Sequence, residues 1–278
     1  MRVIASKEEM RRACREAARP LGLVPTMGAL HQGHLSLVDR ARADCASVAV
    51  SIFVNPTQFA EGEDFAEYPR DLELDLEMLR QRGVDLVFVP DVAEVYPPGF
   101  HTWVDVGPIA DRLEGAARPG HFRGVATVVA KLFGVVQPER AYFGQKDGQQ
   151  TVVVRKLARD LDMGIEVVVL PTVREADGLA MSSRNVRLNP EQRQAAAVVY
   201  RALSAGLGIW YGGETDATAI VSTAQLQLDS EPLVRSVDYV SLADPETLEE
   251  LALASPGGML SVAAHLGSVR LIDNVILE

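Results

Sequence analysis

Short apolar runs alternate with amphipathic stretches along the first 170 or so residues, and this rhythm predicts most of the elements. Ser6 followed by Glu9 fits a capping box at the start of a short helix through Arg15. The apolar run 21–25 predicts a strand. After a glycine-containing turn, residues 34–43 predict a helix with Leu35, Leu37, Val38 and Ala41 available for burial. Residues 48–54 are almost continuously apolar, as expected of a parallel strand covered on both faces. The pattern continues with a helix around 72–82, strands at 84–89 and 101–106, a helix at 122–136, a strand at 140–143, a helix at 149–161 and a strand at 165–170. Strands alternating with helices predict an α/β fold, a Rossmann-like parallel sheet with right-handed crossovers, and ligands beyond the carboxyl ends of its strands.

After residue 173 the rhythm changes. Asn189 and Pro190 form a good helix start, leading into an alanine-rich helix through Leu203. A helix at 217–228 and strands at 234–242, 259–263 and 269–276 follow. We therefore expect a Rossmann-like domain over 1–174 and a smaller carboxy-terminal α/β domain over 175–278.

Composition narrows the function classes. The chain has 278 residues, 47% of them hydrophobic, enough for one large core or two moderate ones. A net charge of -11 opposes nonspecific attraction to nucleic acid, although a local anion site stays open. Cys14 and Cys45 are too few for a disulfide framework and suit a reducing, cytoplasmic setting. The amino terminus moves quickly into charged sequence without the apolar stretch of a secretory signal. The apolar run 125–136 is interrupted by Lys131 and falls short of the roughly 20 residues that span a membrane, so no membrane partner is expected.

Two separated segments carry the candidate chemistry, MGALHQGH at 27–34 and MSSRN at 181–185. The first falls between a strand and a helix, where free backbone amides and the helix dipole favour an anion. His31 and His34 at this helix start can donate hydrogen bonds to phosphate oxygens. An isolated HxxH also describes two satisfied histidines, and a catalytic zinc site would call for a third protein ligand. In the second segment Ser182, Ser183 and Arg184 offer hydroxyls and a guanidinium on a flexible-looking loop, which equally fits a plain interdomain connection. Asn55 and Gln58 follow the apolar strand and can orient a small polar substrate or cap a loop. Gly144, Gln145, Lys146 and Asp147 follow another strand. Lys146 can neutralise phosphate, Asp147 can accept from ribose hydroxyls, and the pair also fits a solvated ion pair. Gln150 can point its amide at the same pocket. Arg118 and His121 are less specific, fitting either the pocket or a helix start and a solvated arginine, and Asp75 can approach the site but reads more readily as a solvated carboxylate on a helix.

The ordered set PTMGALHQGH, FVNPTQF, RPGHFRGV, YFGQKDGQQ and VREADGLAMSSRN closely resembles the pantothenate synthetase, or pantoate-β-alanine ligase, family. That family belongs to the nucleotidyltransferases with a HIGH-type sequence; HQGH resembles this element and MSSR the mobile KMSKS loop. The resemblance implies that pantoate's carboxylate first joins the α-phosphate of ATP, releasing pyrophosphate, and that β-alanine then attacks the acyl-adenylate to give pantothenate and AMP. Mg2+ is implied with ATP, held through phosphate oxygens and water. Residue by residue, Met27, Gly28, Ala29, Leu30, His31, Gln32, Gly33 and His34 would line the ATP site, with His34 as the catalytic histidine and His31 its phosphate-binding companion. Gly144, Gln145, Lys146, Asp147, Val173, Met181, Ser182, Ser183 and Arg184 would complete it. Gln58 and Gln150 would hold pantoate, with Asn55 beside them, and a homodimer is implied. Gln145 stands where the family often has Glu and Gly148 where a larger residue is common, which puts the rigidity of that helix start in question. The rivals are another nucleotidyltransferase of the same fold, making a dinucleotide or CDP-alcohol, and a noncatalytic nucleotide-binding regulator.

Overall fold

Leu21, Leu23, Ala49, Leu86 and Phe88 belong to one apolar cluster, and Val24, Val48, Val50 and Val87 to another; all are buried. Successive side chains of a strand point to opposite faces, so these two clusters are the two faces of one sheet. Covering both faces explains the nearly unbroken apolar runs. The computed structural model describes residues 1–59 and 65–278. Its larger sheet contains β1 (Arg2–Ile4), β2 (Leu21–Thr26), β3 (Ser47–Ile52), β4 (Leu86–Phe88), β5 (Arg140–Gly144) and β6 (Glu166–Leu170), all parallel, in the order β1-β4-β3-β2-β5-β6. On one side pack α1 (Lys7–Glu16), α6 (His121–Val136) and α7 (Gly148–Asp160); on the other, α2 (Gln32–Asp44) and α3 (Leu72–Gln81). Short helices α4 (Val92–Val95) and α5 (Glu114–Ala117) lie in the connection from β4 to α6.

The chain builds outward from β2 through β3 to β4, then crosses to the other flank of β2 to lay down β5 and β6. The order therefore reverses between β2 and β5. This reversal leaves a crevice at the carboxyl ends of these two strands, the place where open α/β sheets bind ligands.

The carboxy-terminal unit contains α8 (Pro190–Ala195), α9 (Val198–Tyr211) and α10 (Ala217–Asp229), followed by the antiparallel sheet β7 (Val234–Ala243), β8 (Met259–Leu266) and β9 (Val269–Ile276). Leu203, Ile220, Leu228, Leu260 and Val262 form its own core. Each such side chain, fully buried, contributes about 1.5 to 3 kcal/mol. Among the described residues no helix is long and apolar enough to cross a membrane, and both cysteines are buried and free.

Several expectations change in detail. Residues 101–106 do not form a strand; the backbone N–H of Val104 donates to Thr127 Oγ1 on α6, 3.0 Å away, so the segment's alternation reflects packing along a helix rather than pairing in a sheet. The single alanine-rich helix is two, α8 and α9, separated by a turn at Ala196 and Ala197, and the second continues to Tyr211. Asn189 caps α8 in a full capping box with Gln192. Ser6 accepts from the N–H of Glu9, but the Glu9 carboxylate turns to Arg2 instead of completing a box.

Candidate functional site

At the switch point the residues following β2 and those following β5 line one cavity of about 970 Å³, closed on its far side by β7, β8 and β9. Gly28 has φ +83°, a left-handed conformation, and a Cβ there would lie 3.0 Å from Asp75 Oδ2, so the backbone of the turn out of β2 and the tight approach of Asp75 both favour glycine. Asp75, 2% exposed, accepts from the N–H groups of Ala29 (2.9 Å) and Leu30 (2.7 Å). Burial pushes its carboxyl above the ordinary range despite these bonds. Asp75 is therefore an internal ligand of the turn and not a solvated carboxylate. The Gly28 N–H meanwhile bonds Thr26 Oγ1. The amides of Gly28, Ala29 and Leu30 are thus satisfied within the protein; Met27, His31, Gly33 and His34 line the cavity, whereas Gly28, Ala29, Leu30 and Gln32 do not.

His31 is the cap of α2. Its Nδ1 accepts from the Gly33 N–H at 3.2 Å, and His34 Nδ1 accepts from the His31 N–H at 3.4 Å, with ring centroids 4.1 Å apart. A neutral imidazole that accepts at Nδ1 carries its proton on Nε2. Burial, reinforced by the Lys146 charge, lowers the His31 pKa to about 4; burial and then the neighbouring His31 lower that of His34 to about 3. Both rings are therefore neutral Nε2–H donors at pH 7. Because the unfolded chain binds these protons near pH 6.5 and the native chain only near 4 and 3, the pair costs stability as pH falls below 6.5. Thermal unfolding should show a smaller drop in Tm between about pH 7 and 5 for the double variant His31→Ala, His34→Ala than for the parent, since alanine removes both shifted groups.

Beyond β5, Gly144, Lys146 and Asp147 line the same cavity. Lys146 Nζ lies 3.2 Å from Asp147 Oδ1. Desolvation alone would raise the Asp147 pKa, but Lys146, joined by Arg184, holds it below its ordinary value. Gln145 does not line the cavity; its Nε2 donates to Asn274 Oδ1 at 2.7 Å. Gly148 does not loosen the helix start. A Cβ there would fall 2.7 Å from Met259 Sδ and 2.8 Å from Asn274 Nδ2, so glycine lets α7 seat directly on the small sheet. Gly148→Ala should cost about 1 to 3 kcal/mol through overpacking, read as a lower Tm or an earlier urea midpoint.

After β3, Asn55 is 1% exposed and does not line the cavity. Its Nδ2 donates to Gln58 Oε1 (2.9 Å) and the Gly124 carbonyl (3.2 Å), while its Oδ1 accepts from Tyr96. Asn55 thereby orients Gln58, whose Nε2 has no protein acceptor among the described residues and can donate into the cavity. The Gln58 carbonyl accepts from Arg118 and His121, so these two also brace that turn. Gln149 and Gln150 both line the cavity; Gln149 is buried and also holds the segment before α5 by donating to the Ile109 and Arg112 carbonyls.

Val173, Met181, Ser182, Ser183 and Arg184 complete the near rim. The flexible-looking segment is a short turn capped by Ser182, and Ser183 Oγ donates to Tyr68 Oη at 3.1 Å. Sequence reasoning missed the opposite wall. There Glu114, 4% exposed, takes a two-pronged contact from Arg270 (2.8 Å each) and a bond from Tyr239, and Arg270 also reaches Asp238. Burial would raise the Glu114 pKa, but Arg270, Arg118 and His121 hold it low. Polar residues inside the otherwise apolar strand VRLIDNVI were the available signal. Among the described residues no group of three His, Cys, Asp or Glu could hold a metal.

The site thus joins neutral imidazole donors, a lysine, an arginine and a donating glutamine around a space sized for a nucleotide and a small acid. Comparison with known proteins gives the same direction. The pantoate-beta-alanine ligase family model matches residues 2–276. A pantothenate synthetase of Roseiflexus sp. (strain RS-1) is 57% identical, with 100% of each chain covered. One of Chloroflexus aurantiacus is 59% identical over 100% of this chain and 99% of its own. The crystal structure of pantothenate synthetase from Thermus thermophilus superposes with a TM-score of 0.95 at 50% identity, covering 100% of this chain and 99% of that one. That of pantoate-beta-alanine ligase from Francisella tularensis, complexed with beta-gamma ATP and beta-alanine, gives 0.81 at 32% identity, covering 99% and 97%.

Proposed function

The chain belongs to the pantoate-β-alanine ligase family and is an enzyme that joins pantoate to β-alanine in pantothenate biosynthesis; we propose that it does so in two steps driven by ATP. A pantoate carboxylate oxygen attacks the α-phosphorus, the bond to the bridging oxygen breaks, and pyrophosphate leaves. The β-alanine nitrogen then attacks the pantoyl carbonyl carbon, AMP leaves, and the nitrogen sheds a proton.

What supports this reading is the meeting, at the switch point, of His31 and His34 with Lys146 and Arg184 around one cavity. The imidazoles donate through Nε2–H to phosphate oxygens as charge grows in the transition state, and Lys146 and Arg184 neutralise the departing pyrophosphate. Carboxylate attack needs no base, which suits histidines that stay neutral. Gln58 and Gln150 orient pantoate, with Asn55 acting on Gln58 rather than on substrate. Magnesium enters with the triphosphate, carried by phosphate oxygens and water, a mode that needs no protein cage. Residues 1–174 form the substrate-binding domain in this reading and 175–278 a lid. The same reading makes the protein a cytoplasmic homodimer, which a solution mass of two chains would support.

The test is a three-substrate assay with mass detection of pantoyl adenylate. AMP and pyrophosphate should form only with pantoate present, and pantothenate only when β-alanine is added. ATP turnover with another acid but not with pantoate would sink the substrate assignment.

A further inference from the structure

The turn carrying Lys146 is held from outside the parallel sheet. Asn274, on β9 and 4% exposed, donates through Nδ2 to the carbonyls of Gln145 (2.7 Å) and Lys146 (2.9 Å), and its Oδ1 accepts from Gln145 Nε2 (2.7 Å). Both amide hydrogens and the oxygen are therefore committed to this one turn. The neighbouring Asp273, 3% exposed, fixes Asn274 in turn. Its Oδ1 accepts from the Asn274 N–H at 2.8 Å while its carboxylate is gripped by Arg174, which stacks over Tyr200 at 4.0 Å. Gly148 leaves the room that brings Asn274 this close.

We propose that Asn274 is a positioning residue for the reaction, setting the backbone from which Lys146 reaches the phosphates. The proposal rests on the phosphate role given to Lys146 above. A carbonyl held by a buried amide cannot swing, so the lysine's Cα is fixed relative to the small sheet, and the ammonium arrives at the phosphate with little left to order. Losing two donors at once frees the turn by a fraction of an ångström or more, a displacement that geometry-sensitive chemistry registers strongly.

Asn274→Ala and Asn274→Asp separate the contacts. Aspartate keeps the shape and the bond from Gln145 but cannot donate to either carbonyl. Both variants should lose about 10- to 100-fold in kcat, with Gln145→Ala losing less. The discriminating readout is a double-mutant cycle in single-turnover AMP formation. On a Lys146→Ala background, Asn274→Asp should slow the reaction by less than about 2-fold, because the residue it positions is gone. Losses that multiply, or a kcat unchanged in the Asn274 variants, overturn the inference. Parent-like turnover of Lys146→Ala alone would instead reject the role of Lys146, and the inference with it. Thermal unfolding of each variant confirms that folded protein is compared, and Asn274→Asp serves if Asn274→Ala does not fold.

Discussion

Replacing Lys146 by alanine should lower kcat/KM for ATP by about 10²- to 10³-fold, the usual consequence of removing one preorganised group that meets charge developing in the transition state. Two effects act in the same direction. The ammonium no longer neutralises the triphosphate, and Asp147, whose carboxyl Lys146 helps to hold below its ordinary range, loses its ion-pair partner and faces the same phosphates. The loss should therefore appear in the apparent affinity for ATP as well as in kcat. Lys146→Met, similar in length and apolar, should behave like alanine and exclude loss of bulk as the cause. The fold should survive, because the backbone of the turn is held by Asn274 and not by the lysine side chain. Steady-state kinetics beside thermal unfolding decide the matter; turnover within a few-fold of the parent would remove Lys146 from the mechanism.

His34→Ala should cost a similar factor, about 10²- to 10³-fold, but concentrated in kcat with KM for ATP little changed. A neutral Nε2–H contributes little to ground-state binding and most when the phosphate oxygens gain charge. The pH profile carries a second expectation. With pKa values of about 4 and 3, neither His31 nor His34 changes charge between about pH 6 and 9, so kcat should show no limb near 6.5 assignable to them. A clear inflection near 6.5 that disappears in His34→Ala would show a titrating imidazole and defeat the neutral-donor role. A modest fall in stability, about 1 kcal/mol, should accompany the variant, since His34 Nδ1 also accepts the His31 N–H in the cap of α2.

How much of this was legible follows from how locally each feature is encoded. Ser6, Asn189 and the spacing of Leu35, Leu37, Val38 and Ala41 declare their helices within a few residues, and those helices begin close to where expected, although the one after Asn189 stops at Ala195 instead of running to Leu203. His31 and His34 sit in one motif for the same reason. The wall formed by Glu114, Tyr239 and Arg270 was not legible, because its members meet only through the tertiary fold, Glu114 and Arg270 being 156 residues apart. Asp75 was misread because its helix looks amphipathic and exposed, whereas its carboxylate is drawn inward by two amides on a turn 45 residues earlier. Residues 101–106 misled in the opposite way, since an alternating pattern says which side is apolar and not whether the partner is a strand or a helix.

The two-pronged contact between Glu114 and Arg270 limits how this protein can be recombined with its relatives. A chimaera joining the first 174 residues of this chain to the remainder of another must keep a cation where Arg270 stands, or it leaves the buried Glu114 carboxylate with Arg118 as its remaining guanidinium partner and loses the two-pronged contact. Gln145 makes the same demand of the residue that replaces Asn274. The two halves are thus matched by complementary pairs across their junction, and such pairs must be inherited together, so that exchange at residue 174 is governed by compatibility at positions far down the chain.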